Sequence, residues 1–407
     1  MMESSPHTKF FLIVLSILIS CVLSFPAEDS VTALEKLAYA NNEFSMKLHR
    51  TLAENSLRNI FFSPTSLFFA LGMLYKGAKG QTRVELRNVL GFNEAGLSDE
   101  EIDESFNKLL TEIFGSSQNF TLKTANAILM DQRLNLIPQY KQSMENFYHA
   151  MVQKVNFQRD RNEIVRQINA WINSQTGGKI PNFLDDLDPS TVMTILNAVY
   201  FKGLWSMPFE TRDTKFERFY NYGGDAKSNR VVRMMQKSHR MFYASSPDWE
   251  MLELPYKGDR ISMVIVLPKQ RDGLAAVEDS LYPDQIREYR SKMKMLTVNL
   301  TLPKFKIDSS IDMNRPLEFL GLGNMFRNGA NFTGMVQNER VRVSHVMHKA
   351  LVEVNEEGTV AAAATGVYLV PLSLSVPREF KVDHPFCFVI VDKKSNLILF
   401  SGRVIAL

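Results

Sequence analysis

The sequence holds seven histidines and 44 carboxylates, enough material for acid–base, nucleophilic or metal chemistry. They do not fall at the spacings such chemistry needs. There is no Gly-x-Ser-x-Gly elbow to expose a serine nucleophile and no His-Glu-x-x-His to hold zinc on a helix face. There is no Cys-x-x-Cys, and Gly177-Gly178-Lys179 lacks the rest of a phosphate-binding loop. A triad scattered along the chain would leave no such trace. Specific signals for an enzyme, a metal or a cofactor are therefore missing, and none is expected. One of the two cysteines, Cys21, lies in an apolar leader. Cys387, within Pro-Phe-Cys-Phe-Val-Ile-Val, reads as a buried, inert thiol.

The residues that stand out chemically form a segment without charge, from Gly358 to Pro377. Its alanines, Ala361, Ala362, Ala363 and Ala364, favour a helix. Gly358, Gly366, two prolines and the β-branched Thr359, Val360 and Thr365 oppose one. Alternate residues from Thr359 run Thr, Ala, Ala, Thr, Val, Leu. That is a one-sided strand of mostly small residues, able to enter a tight slot. Conflicting local preferences suit a segment that changes conformation.

The elements that would carry this segment divide unevenly. Apolar spacing predicts helices over 31–53 and 64–76, the second begun by Ser63-Pro64. Ser98-Asp-Glu-Glu reads as a capping box opening an acidic helix to about 113. A further helix over 161–176 is stopped by Gly177-Gly178. Strands are predicted at 192–201, 261–267, 297–302, 387–392 and 397–405. Helices gather early and strands late, which argues for an α+β fold.

The 407 residues are 45% hydrophobic and 22% charged, an ordinary globular balance, and length alone would suit two or three domains. A net charge of +3 gives no case for nucleic acid or an anionic membrane as partner, and basic clusters such as Arg159-Asp160-Arg161 are interrupted by acids. Lys9 followed by the apolar run Phe10–Leu23 reads as a signal peptide over 1–24, cleaved near Ser24–Phe25. Secretion and an extracellular location are then expected. Asn-x-Ser/Thr sequons at Asn119, Asn299 and Asn331 suit a secreted glycoprotein.

Several blocks resemble signatures of the serpin family. Asn59-Ile-Phe-Phe-Ser-Pro-Thr-Ser66 is similar to its early block, and Asn197-Ala-Val-Tyr-Phe-Lys-Gly-Leu-Trp205 is the closest match. Leu254-Pro-Tyr, Leu302-Pro-Lys-Phe, Asn331-Phe-Thr-Gly, His348-Lys-Ala-Leu-Val-Glu-Val, Glu356-Glu-Gly-Thr and Asp383-His-Pro-Phe come after it in order. The resemblance implies one domain over 25–407, with helices packed on three β-sheets and an exposed reactive-centre loop at about 356–382. By the family's spacing the cleaved bond is Leu372–Ser373, with Leu374–Ser375 as a second register. It also implies a loop hinge over Glu356, Glu357 and Gly358 to Thr365. Ser63, Ser66, Asn197 and His348 match the polar cluster through which strands part, and Trp205 the site of first insertion. Val360 departs from the pattern, standing where many members carry Glu. The activity implied is suicide inhibition of a chymotrypsin-like or elastase-like serine protease, as a metastable monomer that forms a covalent complex. The alternative is a non-inhibitory carrier, storage protein or chaperone on the same fold.

Overall fold

The structure, a computed structural model, describes residues 32–54, 56–114, 119–224, 229–338, 340–358 and 376–407. The signal segment, the reactive bond Leu372–Ser373 and the hinge residues Thr359, Val360, Ala361, Ala362, Ala363, Ala364 and Thr365 lie outside the described residues.

Helix α1 (Ala33–Ala53) starts at a capping box, Thr32 Oγ1 accepting from the Glu35 backbone and Glu35 accepting from Thr32 N–H at 2.8 Å. Helix α2 (Pro64–Gly77) has Ser63 as its cap and proline in its first turn. Every residue of it except Lys76 is buried, so it is the fold's central helix rather than an amphipathic one. Helices α3 (Gly80–Val89), α4 (Asp99–Phe114), α5 (Pro138–Phe147) and α6 (Arg161–Gln175) come next. The expected capping box at Ser98 is present, with Glu101 accepting from Ser98 N–H at 2.8 Å. Later come α7 (Leu274–Ser280), α8 (Pro283–Lys292) and α9 (Asn314–Phe319).

The strands are β1 (Ile60–Phe62), β2 (Phe120–Asp131), β3 (Met151–Val155), β4 (Met193–Gly203), β5 (Lys215–Tyr220), β6 (Asn229–Ser245), β7 (Trp249–Pro255), β8 (Ile261–Pro268), β9 (Lys294–Pro303), β10 (Phe305–Asp312), β11 (His345–Val354), β12 (Arg378–Lys381), β13 (Phe386–Asp392) and β14 (Leu397–Val404). Among the described residues they form two hydrogen-bonded sheets, not three separate ones. A five-stranded sheet runs β10-β11-β4-β2-β3, and the rest join a nine-stranded sheet. The long strand β6 explains the merger. It pairs with β5 over 229–234, with β9 over 234–243 and with β7 over 242–245. Two of the three expected sheets therefore share this strand. The expected loop is also shorter at its far end, because Arg378–Lys381 is paired in parallel with β9 as β12.

Phenylalanines fill the space between helices and sheets. Phe61 stacks on Phe400 with centroids 5.2 Å apart, and Phe68, Phe92 and Phe106 pack around α2. A buried ionic knot ties α1, α7 and β14 together. Glu278 accepts from His49 Nε2 at 2.8 Å and from Arg403 at 3.0 Å, while His49 Nδ1 meets Ser401 Oγ at 2.8 Å. Cys387 is buried as expected, and burial pushes its thiol well up from the usual range.

Removing Glu278 leaves the Arg403 guanidinium buried without its counter-charge. Glu278→Ala should lower unfolding free energy by about 3–5 kcal/mol, read as a shift in urea midpoint. A loss below about 1 kcal/mol, the scale of an exposed pair, would show that the knot does not hold these elements.

Candidate functional site

Strands β4 and β11 are neighbours and run parallel, with His348 opposite Asn197 in the register. On its other side Asn197 faces Asn126 of β2. One rung of the sheet thus carries three polar side chains in a row. Beneath it sits the N-terminus of α2. Ser63 N–H donates to His348 Nε2 at 3.1 Å, which fixes that nitrogen as an acceptor and the ring as neutral. The proton on Nδ1 then donates to Asn197 Oδ1 at 2.6 Å. The Asn197 amide passes its own hydrogens to Ser66 Oγ, at 2.6 Å, and to Asn126 Oδ1. Ser63 Oγ donates to Leu399 O at 2.7 Å and accepts from Ser66 N–H at 3.1 Å. Ser63, Ser66, Asn197 and His348, expected together, are together and buried. Asn126 joins them, and no local pattern in the sequence marks it.

At the C-terminal ends of both strands the chain turns sharply. Asn355 and Gly358 exchange backbone hydrogen bonds at 2.9 and 3.2 Å, and Asn355 Oδ1 accepts from Glu357 N–H at 3.1 Å. Gly358 has φ +124°, and a Cβ there would stand 2.3 Å from Gly203 O. Only glycine fits that close backbone approach. Trp205 closes the end of β4. Its backbone N–H donates to Glu357 O at 2.9 Å, its Nε1 to Asn355 O at 3.0 Å, and its ring stacks on Tyr256 at 4.5 Å. Phe209 N–H holds Glu356 O at 2.7 Å. The Glu356 carboxylate meets Lys304 Nζ at 2.6 Å and Thr214 Oγ1 at 2.9 Å. Burial opposes its charge, but these partners and its own backbone N–H hold its carboxyl below the usual range. One oxygen of Glu357 is buried with no hydrogen-bond partner among the described residues. Nearby, burial pushes Lys237 down to about 8, its amine donating to Pro208 O at 2.7 Å.

The family resemblance links Trp205, as the site of first insertion, to the hinge at Glu356, Glu357 and Gly358, but does not show what holds them. Lys304 and Tyr256 lie inside the blocks Leu302-Pro-Lys-Phe and Leu254-Pro-Tyr, so a signal was there. Thr214 and Asn355 had none. Of the sequon asparagines, Asn119 is exposed. Asn299 donates to Glu379 at 2.6 Å, and Asn331 accepts from the Thr333 hydroxyl at 2.8 Å. Among the described residues no group of His, Cys, Asp and Glu could hold a metal ion, and no helix is long and apolar enough to cross a membrane.

This architecture is one that solved structures share. That of human thyroxine-binding globulin superposes with a TM-score of 0.84 at 26% identity, over 92% of this chain and 99% of the other. The family model described as "Serpin (serine protease inhibitor)" matches residues 39–407, so the chain belongs to the serpin family. Among named relatives it is 38% identical to Iripin-2 of Ixodes ricinus, over 91% of this chain and 93% of that one. It is 35% identical to Intracellular coagulation inhibitor 2 of Tachypleus tridentatus, over 94% of each.

Burial pushes His348 down to about 3. In the unfolded chain a histidine titrates near 6.5. Below about pH 6.5 the unfolded chain therefore takes up a proton that the folded chain refuses. Stability should fall by roughly 1.4 kcal/mol per pH unit from that value down toward pH 3. Glu356, with its folded value lowered, adds to the loss only at the acid end. Unfolding midpoints should show this limb, and His348→Gln should flatten it between pH 6.5 and 5. An unchanged slope would mean that His348 does not titrate differently in the two states.

Proposed function

We propose that this protein is a secreted suicide inhibitor of chymotrypsin-like or elastase-like serine proteases. The reading rests on the parallel seam between β4 and β11, at whose end the loop's first residues are fastened. The turn at Asn355–Gly358 reverses the chain, so a strand continuing from Gly358 would run back antiparallel to β11. Since β4 is parallel to β11, a strand entering between them would be antiparallel to both. One parallel pair would become two antiparallel pairs, the slightly stronger kind.

In this reading a protease serine attacks the carbonyl of Leu372, the amine of Ser373 leaves, and an ester joins enzyme to inhibitor. Leucine suits a hydrophobic specificity pocket. The hinge from Glu356 to Thr365 then enters the seam, with Trp205 at the point of entry and the cluster of Ser63, Ser66, Asn197 and His348 parting. On the order of ten new backbone hydrogen bonds, each worth about 0.5–1.5 kcal/mol, would drive insertion. The uncleaved fold is held by a kinetic barrier. The apolar run Phe10–Leu23 supports export, with residues 1–24 removed to leave 25–407 as one unit, and Asn119, Asn299 and Asn331 as glycan acceptors. No catalytic role falls to the chain itself.

Challenge with a chymotrypsin-like protease should give a denaturation-resistant adduct and release a peptide beginning at Ser373. A peptide beginning at Ser375 would move the bond to Leu374–Ser375. Clipping without adduct would assign the chain to the non-inhibitory members of the fold.

A second expectation concerns Thr359. Thr359→Arg would place a charge between two strands, where desolvation costs several kcal/mol. The variant should shift from adduct toward clipped product, while Val360→Arg, one residue on, should not. Equal adduct yields from Thr359→Arg and wild type on denaturing gels would remove insertion from the mechanism.

A further inference from the structure

The peptide group between Pro208 and Phe209 is held on both sides. Its N–H, that of Phe209, donates to Glu356 O at 2.7 Å. Its carbonyl, that of Pro208, accepts from Lys237 Nζ at 2.7 Å. Two hydrogen bonds through one amide thus join the middle of β6 to the first residue of the hinge. A donor on the carbonyl oxygen draws electrons from the amide nitrogen and sharpens its N–H, so each bond strengthens the other.

The surroundings give a lysine little other reason to stand there. Residues two apart along a strand share a face, so Lys237 lies on the same side of β6 as Met235 and Met241, both buried. Its stem runs among Trp205, Met207, Phe209 and Leu254. Among the described residues it forms no ion pair, and its amine is bound to the Pro208 carbonyl alone. A methionine like its neighbours would fill this space without bringing a charge out of water. What a lysine adds is the donor.

We propose that Lys237 is a positioning residue for the reactive loop. By gripping the Pro208 carbonyl it sets how firmly the Phe209 N–H holds Glu356, and so how readily the loop begins to leave its seat. What the loop does next rests on the inhibitory reading above; the grip itself is a property of the folded chain. It differs from the Lys304 and Thr214 contacts, which hold the Glu356 side chain, because it acts on the hinge backbone.

An ammonium is a stronger donor than a neutral amine, and burial pushes Lys237 down to about 8. The grip is therefore full below that value and slackens as pH rises through it. The charges around the amine come from several elements. Glu210, two residues beyond Pro208, favours the ammonium. His239, further along β6, is pushed below its ordinary range by burial, Lys237 and Arg240. Asp213, Glu217, Glu379 and Lys381 stand on the open side. Glu217 is bound to Lys381 at 2.7 Å and pushes it up, and Glu379 accepts from Asn299 at 2.6 Å. Side-chain carboxylates in general titrate near 4 and imidazoles near 6.5, so Lys237 is the group in this cluster that changes charge around pH 8.

The test uses the full mature chain and the variant Lys237→Met, which keeps an unbranched apolar body and removes the donor. Amide exchange at Phe209, divided by the intrinsic rate at each pH, reads the grip directly. Near neutral pH the variant should lose roughly tenfold in protection at Phe209. Protection at Ser206, whose N–H donates to Pro255 O at 2.9 Å, should change little. In wild type, protection at Phe209 should fall as pH rises from about 7 to about 9, and in the variant it should stay flat. A buried ammonium without a counter-charge weighs against folding, so the variant's urea midpoint should be unchanged or higher. A merely structural role would lower the midpoint and leave the pH profile as it was. Equal Phe209 protection in the two chains overturns the proposal, and so does a wild-type profile with no pH dependence, which needs no substitution to measure. Adduct formation is scored separately. Stored without protease, the variant should lose its capacity for adduct several-fold faster than wild type, and an equal rate overturns the link to loop release. Weaker Phe209 protection in the variant, in a protein that gives no adduct in either form, sustains the grip on the hinge while removing the trapping mechanism.

Discussion

In the function proposed above, the parts of this fold that bear on it are arranged around one pair of strands held in parallel. β4 and β11 come from distant parts of the chain, and no crossover stitches them together locally. Their hydrogen bonds run from His345 opposite Thr194 to Leu351 opposite Tyr200. Parallel ladders are slightly weaker per residue than antiparallel ones, so a seam of this kind needs fastening. It is fastened in the middle by the His348–Asn197 bond and at the end by Trp205, Glu356 and Gly358. Both fasteners are made of polar contacts, and both would have to yield for the strands to separate.

The two differ in how they tolerate charge. The middle fastener is neutral throughout: an imidazole with a fixed tautomer, two amides and two hydroxyls, sealed from water. Such a network gives direction without the desolvation cost of an ion pair, and each member needs every other one satisfied. The end fastener is ionic and near the surface, where the Glu356–Lys304 pair can draw on solvent. Glu357 beside it buries an oxygen without a partner among the described residues. The turn is thus held from one side and under-satisfied on the other, which fits its place as the starting point of the insertion proposed above.

Local chemistry makes some of this visible in the sequence. Helix starts are legible because caps are short-range: Ser63-Pro64 and Ser98 to Glu101 predict α2 and α4 almost to the residue. Buried strands such as β8 and β13 are legible as unbroken apolar runs. β6 is not. Its sequence is crowded with arginine, lysine and methionine, and it changes partners along its length, so no single period marks it. β2 is hidden for another reason, since its second half is buried on both faces and loses the alternation of two. The polar cluster emerges only through resemblance; from the residues alone, Ser63, Asn197 and His348 are ordinary polar side chains far apart in sequence. Asn126 and Thr214 are out of reach, because their roles exist only once register is set.

The meeting of Gly203 and Gly358 has one further consequence. Where the loop departs from the sheet, the fit is made by bare main chain: a side chain on either glycine would strike the backbone or the Tyr256 ring. The threshold therefore demands glycine at both positions and makes no side-chain contact across the approach itself. In the inhibitory reading proposed above, the part that selects a target and the part that responds to it would then be free to vary independently. On that reading, a chain built on such a threshold could acquire new quarry by rewriting a few loop positions while its moving parts stayed as they were.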